Sequence, residues 1–236
     1  MATDNIESTL QEDRLFQASK EFISKARINS EQLDALHKHA EEDFEGFWAH
    51  CAKQHLDWQT PFTQTLDSSK APHFRWFYDG KLNVSHNCID RHLATKADKT
   101  AIIFEGEKGD TQHLTYQELH DKVCQFANGL KSIGVKSGDR VVIYMPMVPE
   151  AAIAMQACAR IGAIHSVVFG GFSAESLKDR IEDAGAVALI TADGGHRGGK
   201  IVELKAAADK ALSGACKSIN KVVVLKRTDH NISMQA

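Results

Sequence analysis

No stretch of this chain approaches the roughly 18 consecutive apolar residues that a membrane span needs. The N-terminus, Met1 to Gln11, is polar and acidic and has no hydrophobic core of a secretory signal. Neither a transmembrane nor a secreted protein is expected. The five cysteines, Cys51, Cys88, Cys124, Cys158 and Cys216, are odd in number, widely spaced and form no CxxC pair. Reduced thiols in a cytoplasmic protein are the simplest reading. There is no polybasic run: the 28 basic residues are dispersed and the formal net charge is -3. That balance argues against a general nucleic-acid binder. No HExxH, no Ser-His-Asp set, no internal repeat and no low-complexity tract is found.

What is present is a chain of 236 residues, 43% of them hydrophobic, long enough for one large or two small domains with a sizeable core. Two regions differ in character. Residues 1–98 are rich in His, Trp and Phe and irregular in period. They read as a helical and extended segment that wraps the domain after it. Ser30 is placed as the N-cap of a helix to about His55, with Leu33, Leu36, Ala40, Phe44, Phe47 and Trp48 at helical spacing. Trp58 to Gly80 reads as extended, with Pro61 and Pro72 against a continuous helix, and Asn87 to Ala97 as a short helix.

Residues 99–236 read as an α/β subdomain in which short β-branched runs alternate with amphipathic helical patterns. A hairpin is expected from Thr100 to Glu105 and Gln112 to Leu114. Thr115 and Glu118 have capping-box spacing for a helix that stops at Gly134. Strands follow at Arg140 to Tyr144, His165 to Phe169, Val187 to Thr191 and Lys221 to Leu225. Helices are expected from Pro149 to about Ile161, from Ser173 to near Gly185, and from Gly199 to Leu212. The alternation predicts a mostly parallel sheet with helices on both faces, and ligands beyond the carboxyl ends of its strands. If the final strand lies at the sheet edge, Val222 to Leu225 would form an apolar edge that invites self-association.

Two glycine-rich turns stand out. Val167-Val168-Phe169-Gly170-Gly171-Phe172-Ser173 leaves one strand, and Thr191-Ala192-Asp193-Gly194-Gly195-His196-Arg197-Gly198-Gly199-Lys200 leaves the next. Glycine lets the backbone approach a ligand closely, and free N–H groups at a helix start suit an anion. Arg197 and Lys200 add two cations. The segment from Gly194 to Ile201 nearly fits GxxxxGK[ST], but Ile201 has no hydroxyl for magnesium. A phosphate- or pyrophosphate-binding turn without hydrolysis and a surface loop with two solvated cations both fit. Phe169-Gly170-Gly171-Phe172-Ser173 is the weaker signal, and taken alone it reads more simply as a plain tight turn.

Other clusters have simpler explanations. His37, His39, His50, Cys51 and His55 do not share one helix face, so no metal site is expected. Glu118 is accounted for by its cap. Trp58, Trp76, Phe77 and Tyr78 fit anchoring of the wrap better than base stacking, since no basic groove accompanies them.

Several long motifs resemble one family. They include Phe44-Glu45-Gly46-Phe47-Trp48, Leu82 to Leu93, Thr100 to Gly106, and Tyr144-Met145-Pro146-Met147-Val148-Pro149-Glu150-Ala151. Ala159-Arg160-Ile161-Gly162-Ala163, Val168 to Ser173 and Val224 to Thr228 complete the set. In this order they resemble the N-terminal part of the AMP-forming acetyl-CoA synthetases, from about residue 40 to 228.

The resemblance implies the large N-terminal domain of an adenylate-forming ligase. It implies a two-step reaction: acetate and MgATP give acetyl-adenylate and pyrophosphate, then the CoA thiol displaces AMP. It places Phe169, Gly170 and Gly171 along the CoA site, and Arg197, Gly198, Gly199 and Lys200 on the CoA nucleotide and its phosphates. Where the family often has arginine, Lys200 keeps the charge without the planar fork. The family's ATP phosphate loop, acetate pocket, AMP-binding motifs and catalytic lysine would all lie downstream of Ala236, so no catalytic or metal-binding residue is expected here. The expected partners are acetate, ATP, CoA and the rest of a longer polypeptide, with only CoA contacts in this chain. Two other readings remain: a non-catalytic CoA-binding or interaction module, and a relative that activates propionate.

Overall fold

The computed structural model describes residues 15–234. The polar segment Met1 to Gln11 lies outside the described residues. Those described form two compact units that divide between Gln54 and His55.

The first unit is helical. It holds α1 (Lys20–Lys25), α2 (Ser30–Glu42) and the start of α3 (Phe44–His55). The single helix expected from Ser30 is two. Asn29, not Ser30, is the N-cap, and it forms a reciprocal capping box with Gln32. The chain breaks at Asp43, whose backbone leaves the helical region (φ -142, ψ 78) while its carboxylate accepts the Gly46 N–H at 3.0 Å. One residue thus ends α2 and caps α3, which a continuous helix would forbid.

The second unit carries the sheet. Two short strands, β1 (Leu66–Asp67) and β2 (Arg75–Trp76), pair within the extended stretch. Trp58, Phe62 and Phe77 pack on one another there, with ring centroids 4.7 to 5.8 Å apart. The helix expected over Asn87 to Ala97 is three pieces: α4 (Val84–Cys88), a 3-10 turn at Asp90–His92, and α5 (Leu93–Lys96). The break falls at Ile89, which leaves helical geometry (φ -125, ψ -67) with its side chain buried in the core. Asn83 caps α4, and its amide also donates to the carbonyls of Ala159 and Arg160 at 3.1 and 3.2 Å.

The hairpin β3 (Thr100–Glu105) and β4 (Thr111–Thr115) is antiparallel and forms a sheet of its own. Then come α6 (Tyr116–Ser132), β5 (Arg140–Met145), α7 (Pro149–Arg160), β6 (Ile164–Phe169), α8 (Ala174–Ala184) and β7 (Ala188–Ala192). The Thr115–Glu118 capping box opens α6 as its spacing predicts. The chain continues through β8 (Gly195–Arg197), β9 (Lys200–Val202), α9 (Leu204–Leu212) and β10 (Lys221–Leu225).

Four strands build a parallel sheet in the order β10-β7-β5-β6. Its period-two alternation feeds two cores. Val141, Ile143 and Met145 of β5 face the layer that includes Val123 of α6 and Ala157 of α7. Val142 and Tyr144 face the layer that includes Leu177 of α8 and Ala208 of α9. The expected α/β architecture with helices on both faces is present.

One expectation needs correction. The helix from Gly199 starts only at Leu204. Gly198 and Gly199 instead close a two-residue hairpin between β8 and β9, both with positive φ (58 and 72). Consecutive left-handed residues give the primed turn that suits strand twist, and they cannot begin a right-handed helix. The final strand, β10, lies at one edge of the parallel sheet as expected, and β6 lies at the other. Val222 to Leu225 in β10 are only partly exposed, whereas β6 exposes Ile164, Val167 and Phe169 at 50 to 57%.

Ile143→Ala, in the fully buried central strand, is expected to cost about 2–5 kcal/mol in denaturant unfolding. Thr115→Ala, which removes only a cap, should cost about 1 kcal/mol.

Candidate functional site

The strand after β5 in sequence, β6, lies on one side of it, while β7 lies on the other. The crevice beyond the carboxyl ends at such a reversal is where open parallel sheets bind ligands. A cleft of about 400 Å³ sits there. Its floor includes Met145 at the end of β5, Phe169 at the end of β6, and Gly170 and Gly171 just after it. One wall is the β8–β9 hairpin with Arg197, and the other is the tip of the β3–β4 hairpin with Phe104 and Glu107.

Local structure fixes the first glycine turn as the sequence suggests. Ser173 caps α8, its hydroxyl accepting the Ser176 N–H at 3.2 Å. The buried Tyr144 hydroxyl donates to the Phe172 carbonyl at 2.9 Å and holds the turn from the sheet side. Gly171 lies close under two side chains: a Cβ there would lie 2.5 Å from the Phe169 ring and 2.9 Å from the Arg197 guanidinium, and both would have to shift.

The second turn is built differently from expectation. As a hairpin, it presents no helix N-terminus to an anion. The Gly199 N–H is already taken, donating to the Glu107 carboxylate at 2.6 Å. Gly198, Gly199 and Lys200 sit at the exposed hairpin tip and do not line the cleft. Arg197 does line it. Its guanidinium lies 5.3 Å over the Phe169 ring and pairs with no carboxylate among the described residues. The structure therefore gathers Phe169, Gly170, Gly171 and Arg197 and leaves the other three predicted residues on the rim.

Sequence reasoning missed several groups. Pro146 and Met147 follow β5 directly, and their place after a strand end was the available signal. Glu107 and Arg227 come from distant segments and gave no local signal. Arg227 lies 5.5 Å over the Phe104 ring and donates to Asp110 at 2.7 Å. That bond is the main cause holding the exposed Asp110 carboxyl below its ordinary pKa.

The largest omission is Asp193, quoted within its motif but given no role. It is 1% exposed. Its carboxylate accepts the backbone N–H groups of Gly194, Arg227, Thr228 and Asp229 at 2.6 to 3.1 Å. Burial acts to raise its pKa, but the amides of Thr228, Arg227, Gly194 and Asp229 outweigh burial and hold it at about 2. This carboxylate ties the end of β7 to the end of β10 and seats Arg227 at the cleft.

Residues 89–235 match the family described as AMP-binding enzyme, and residues 33–88 match that described as acetyl-coenzyme A synthetase N-terminus. The chain belongs to the AMP-binding enzyme family. An acetyl-coenzyme A synthetase of Thiobacillus denitrificans is 59% identical over 233 residues, covering 98% of this chain and 36% of that protein. One from Nitrosomonas europaea is 55% identical over 237 residues, covering 100% of this chain and 36% of its own length. Among solved structures, acetoacetyl-CoA synthetase from Streptomyces lividans is similar with a TM-score of 0.78 and 26% identity, over 85% of this chain and 31% of that one. The chain thus spans 36% of the length of these two curated relatives. No helix among the described residues is long and apolar enough to cross a membrane.

A carboxyl with a depressed folded-state pKa adds stability that is complete above its unfolded pKa, here near 3.8, and is lost as pH falls through about 2. Asp193→Asn should therefore lose about 2 kcal/mol at neutral pH. In acid titrations followed by denaturant unfolding, the difference from the parent should narrow below pH 3.8 and close near pH 2.

Proposed function

We propose that this chain is the CoA-facing N-terminal portion of a cytoplasmic, AMP-forming acetate–CoA ligase. In that reaction acetate and MgATP give acetyl-adenylate and pyrophosphate, and the CoA thiol then displaces AMP. The observation that carries the reading is Arg197, a guanidinium without a carboxylate partner among the described residues, resting on Phe169 beside Gly170 and Gly171. A guanidinium so placed suits a phosphate, which it can grip with two parallel N–H bonds. The Phe169 ring offers a face to a flat heterocycle. The glycines leave room for close approach of the ligand. In this reading Gly198, Gly199 and Lys200 form an outer rim that meets the remaining phosphate charge.

The likeness to acetyl-coenzyme A synthetases at 55 to 59% identity supports acetate as the acid. The ATP side is assigned to parts of a longer polypeptide. Gly198 to Lys200 do not make a triphosphate cradle, because they turn a hairpin and Ile201 lacks the hydroxyl. No group of three potential metal ligands occurs among the described residues. Self-association belongs to the same reading, through the uncovered edge of β6.

The chain is expected to bind CoA without catalysing acetate-dependent exchange of pyrophosphate into ATP. Arg197→Ala should weaken binding in calorimetry at least tenfold, as loss of a charge-assisted contact implies. Unchanged CoA affinity in that variant, or exchange activity in the parent, would refute the assignment. In sedimentation the chain should self-associate with rising concentration. Val167→Lys, which puts a charge on the β6 edge, should hold it monomeric.

A further inference from the structure

The two hairpins that wall the cleft carry opposite charge, yet their charges do not pair. At the β8–β9 turn, Arg197 and Lys200 stand directly opposite one another, so their side chains leave the same face of the ribbon. Like charges so placed repel. Neither pairs with a carboxylate among the described residues. Arg197 leans over Phe169 into the cleft, while Lys200 stays at the rim.

Between them in the chain, the Gly199 N–H is a central amide of a two-residue turn and has no partner in the strand ladder. Two unpaired cations and an outward amide at one tip are groups that suit a phosphate. The acceptor on that amide is instead the Glu107 carboxylate of the opposite hairpin, at 2.6 Å. It arrives from 92 residues earlier and settles on the amide rather than on either cation. Glu105, on the same hairpin, also lines the cleft but makes no side-chain hydrogen bond or ion pair among the described residues. The two glutamates therefore separate the general field of an acidic wall from the particular contact that Glu107 makes.

We propose that Glu107 is a specificity-determining residue of the cleft, its carboxylate occupying the Gly199 amide in place of a ligand phosphate until a phosphate monoester displaces it. The inference rests on the CoA reading above and adds to it a competitor built into the chain. A free phosphate ion meets only the hairpin tip, and a carboxylate tethered beside the amide outcompetes it. A ligand that also seats its body on Phe169, Gly170 and Gly171 brings further contacts, and these push the carboxylate aside. Glu107 thus disfavours bare anions and admits an anion carried on a larger ligand.

The test compares binding of CoA and of 3′-dephospho-CoA, which lacks only the phosphate monoester, to the full chain, and follows the Gly199 amide resonance. CoA should move that resonance, and dephospho-CoA should move it far less. Glu107→Ala should raise the preference for CoA over dephospho-CoA about fivefold, the upper range for one surface charge contact. Inorganic phosphate should then displace CoA from this variant at lower concentration than from the parent. Glu107→Gln, which keeps an acceptor without the charge, should fall between the parent and Glu107→Ala. Glu105→Ala, which changes only the screened field of the wall, should alter the preference less than about twofold. Both glutamates are exposed, so neither change touches a core. An equal gain from Glu105→Ala, an unaltered preference in Glu107→Ala, or a Gly199 resonance that CoA leaves in place would overturn the inference. In those cases CoA binding, and its weakening by Arg197→Ala, would still uphold the reading beneath it. No CoA binding by the parent or by Glu107→Ala would remove that reading and this inference together.

Discussion

The carboxylate of Asp193 is the constraint on which the ligand end of the sheet depends. It gathers four backbone N–H groups that no strand ladder can satisfy, one beside it and three beyond β10. The rest of the residue works as well: its N–H donates to the Leu225 carbonyl at 2.8 Å, and its carbonyl accepts from Lys205 at the start of α9. One residue thereby joins β7, the β8–β9 hairpin, α9 and β10 at a single point. Without it, four backbone donors would lose their acceptor, three of them in a part-buried setting. The position of Arg227, and through it the Asp110 end of the β3–β4 hairpin, follows from this junction.

A similar junction secures the opposite end of the parallel strands. Asn83 caps α4 and, with the same side chain, satisfies the last carbonyls of α7. Arg160, the last residue of α7, pairs with Asp90 just beyond α4. Polar side chains at helix ends therefore fix the helices that cover one face, while apolar alternation along β5 fixes the sheet between two cores.

The parallel core was legible because its signals are local and repeated. Thr115 with Glu118, Pro149, Ser173 and Gly185 mark helix ends by chemistry that acts within four residues. The errors arose where two local signals compete. Gly198-Gly199 is both a loop preceding an alanine-rich helix and a hairpin turn. Pairing of His196 with Ile201 decided for the hairpin, and that pairing is invisible to helical periodicity. Asp43 fits the middle of an amphipathic run, yet it serves better as a cap. At the cleft, Phe169, Gly170, Gly171 and Arg197 could be found from their own segments. Glu107, Arg227 and the role of Asp193 could not, because their partners lie between 34 and 117 residues away.

The cleft has a stiff floor and compliant sides. Its floor is the end of a parallel sheet buried on both faces, so it moves only with the core. Its sides are two hairpins joined to each other by the Glu107 contact to the Gly199 amide, with the β3–β4 hairpin also held to the chain after β10 by the Arg227–Asp110 pair, both contacts at the surface. Such latches are among the weakest bonds in the unit and are screened by salt. The two hairpins can therefore part while the sheet stays whole, as a low-energy local opening rather than unfolding. A bulky ligand would meet a mouth that widens to admit it over a base that does not yield, and ionic strength would set how readily the mouth opens.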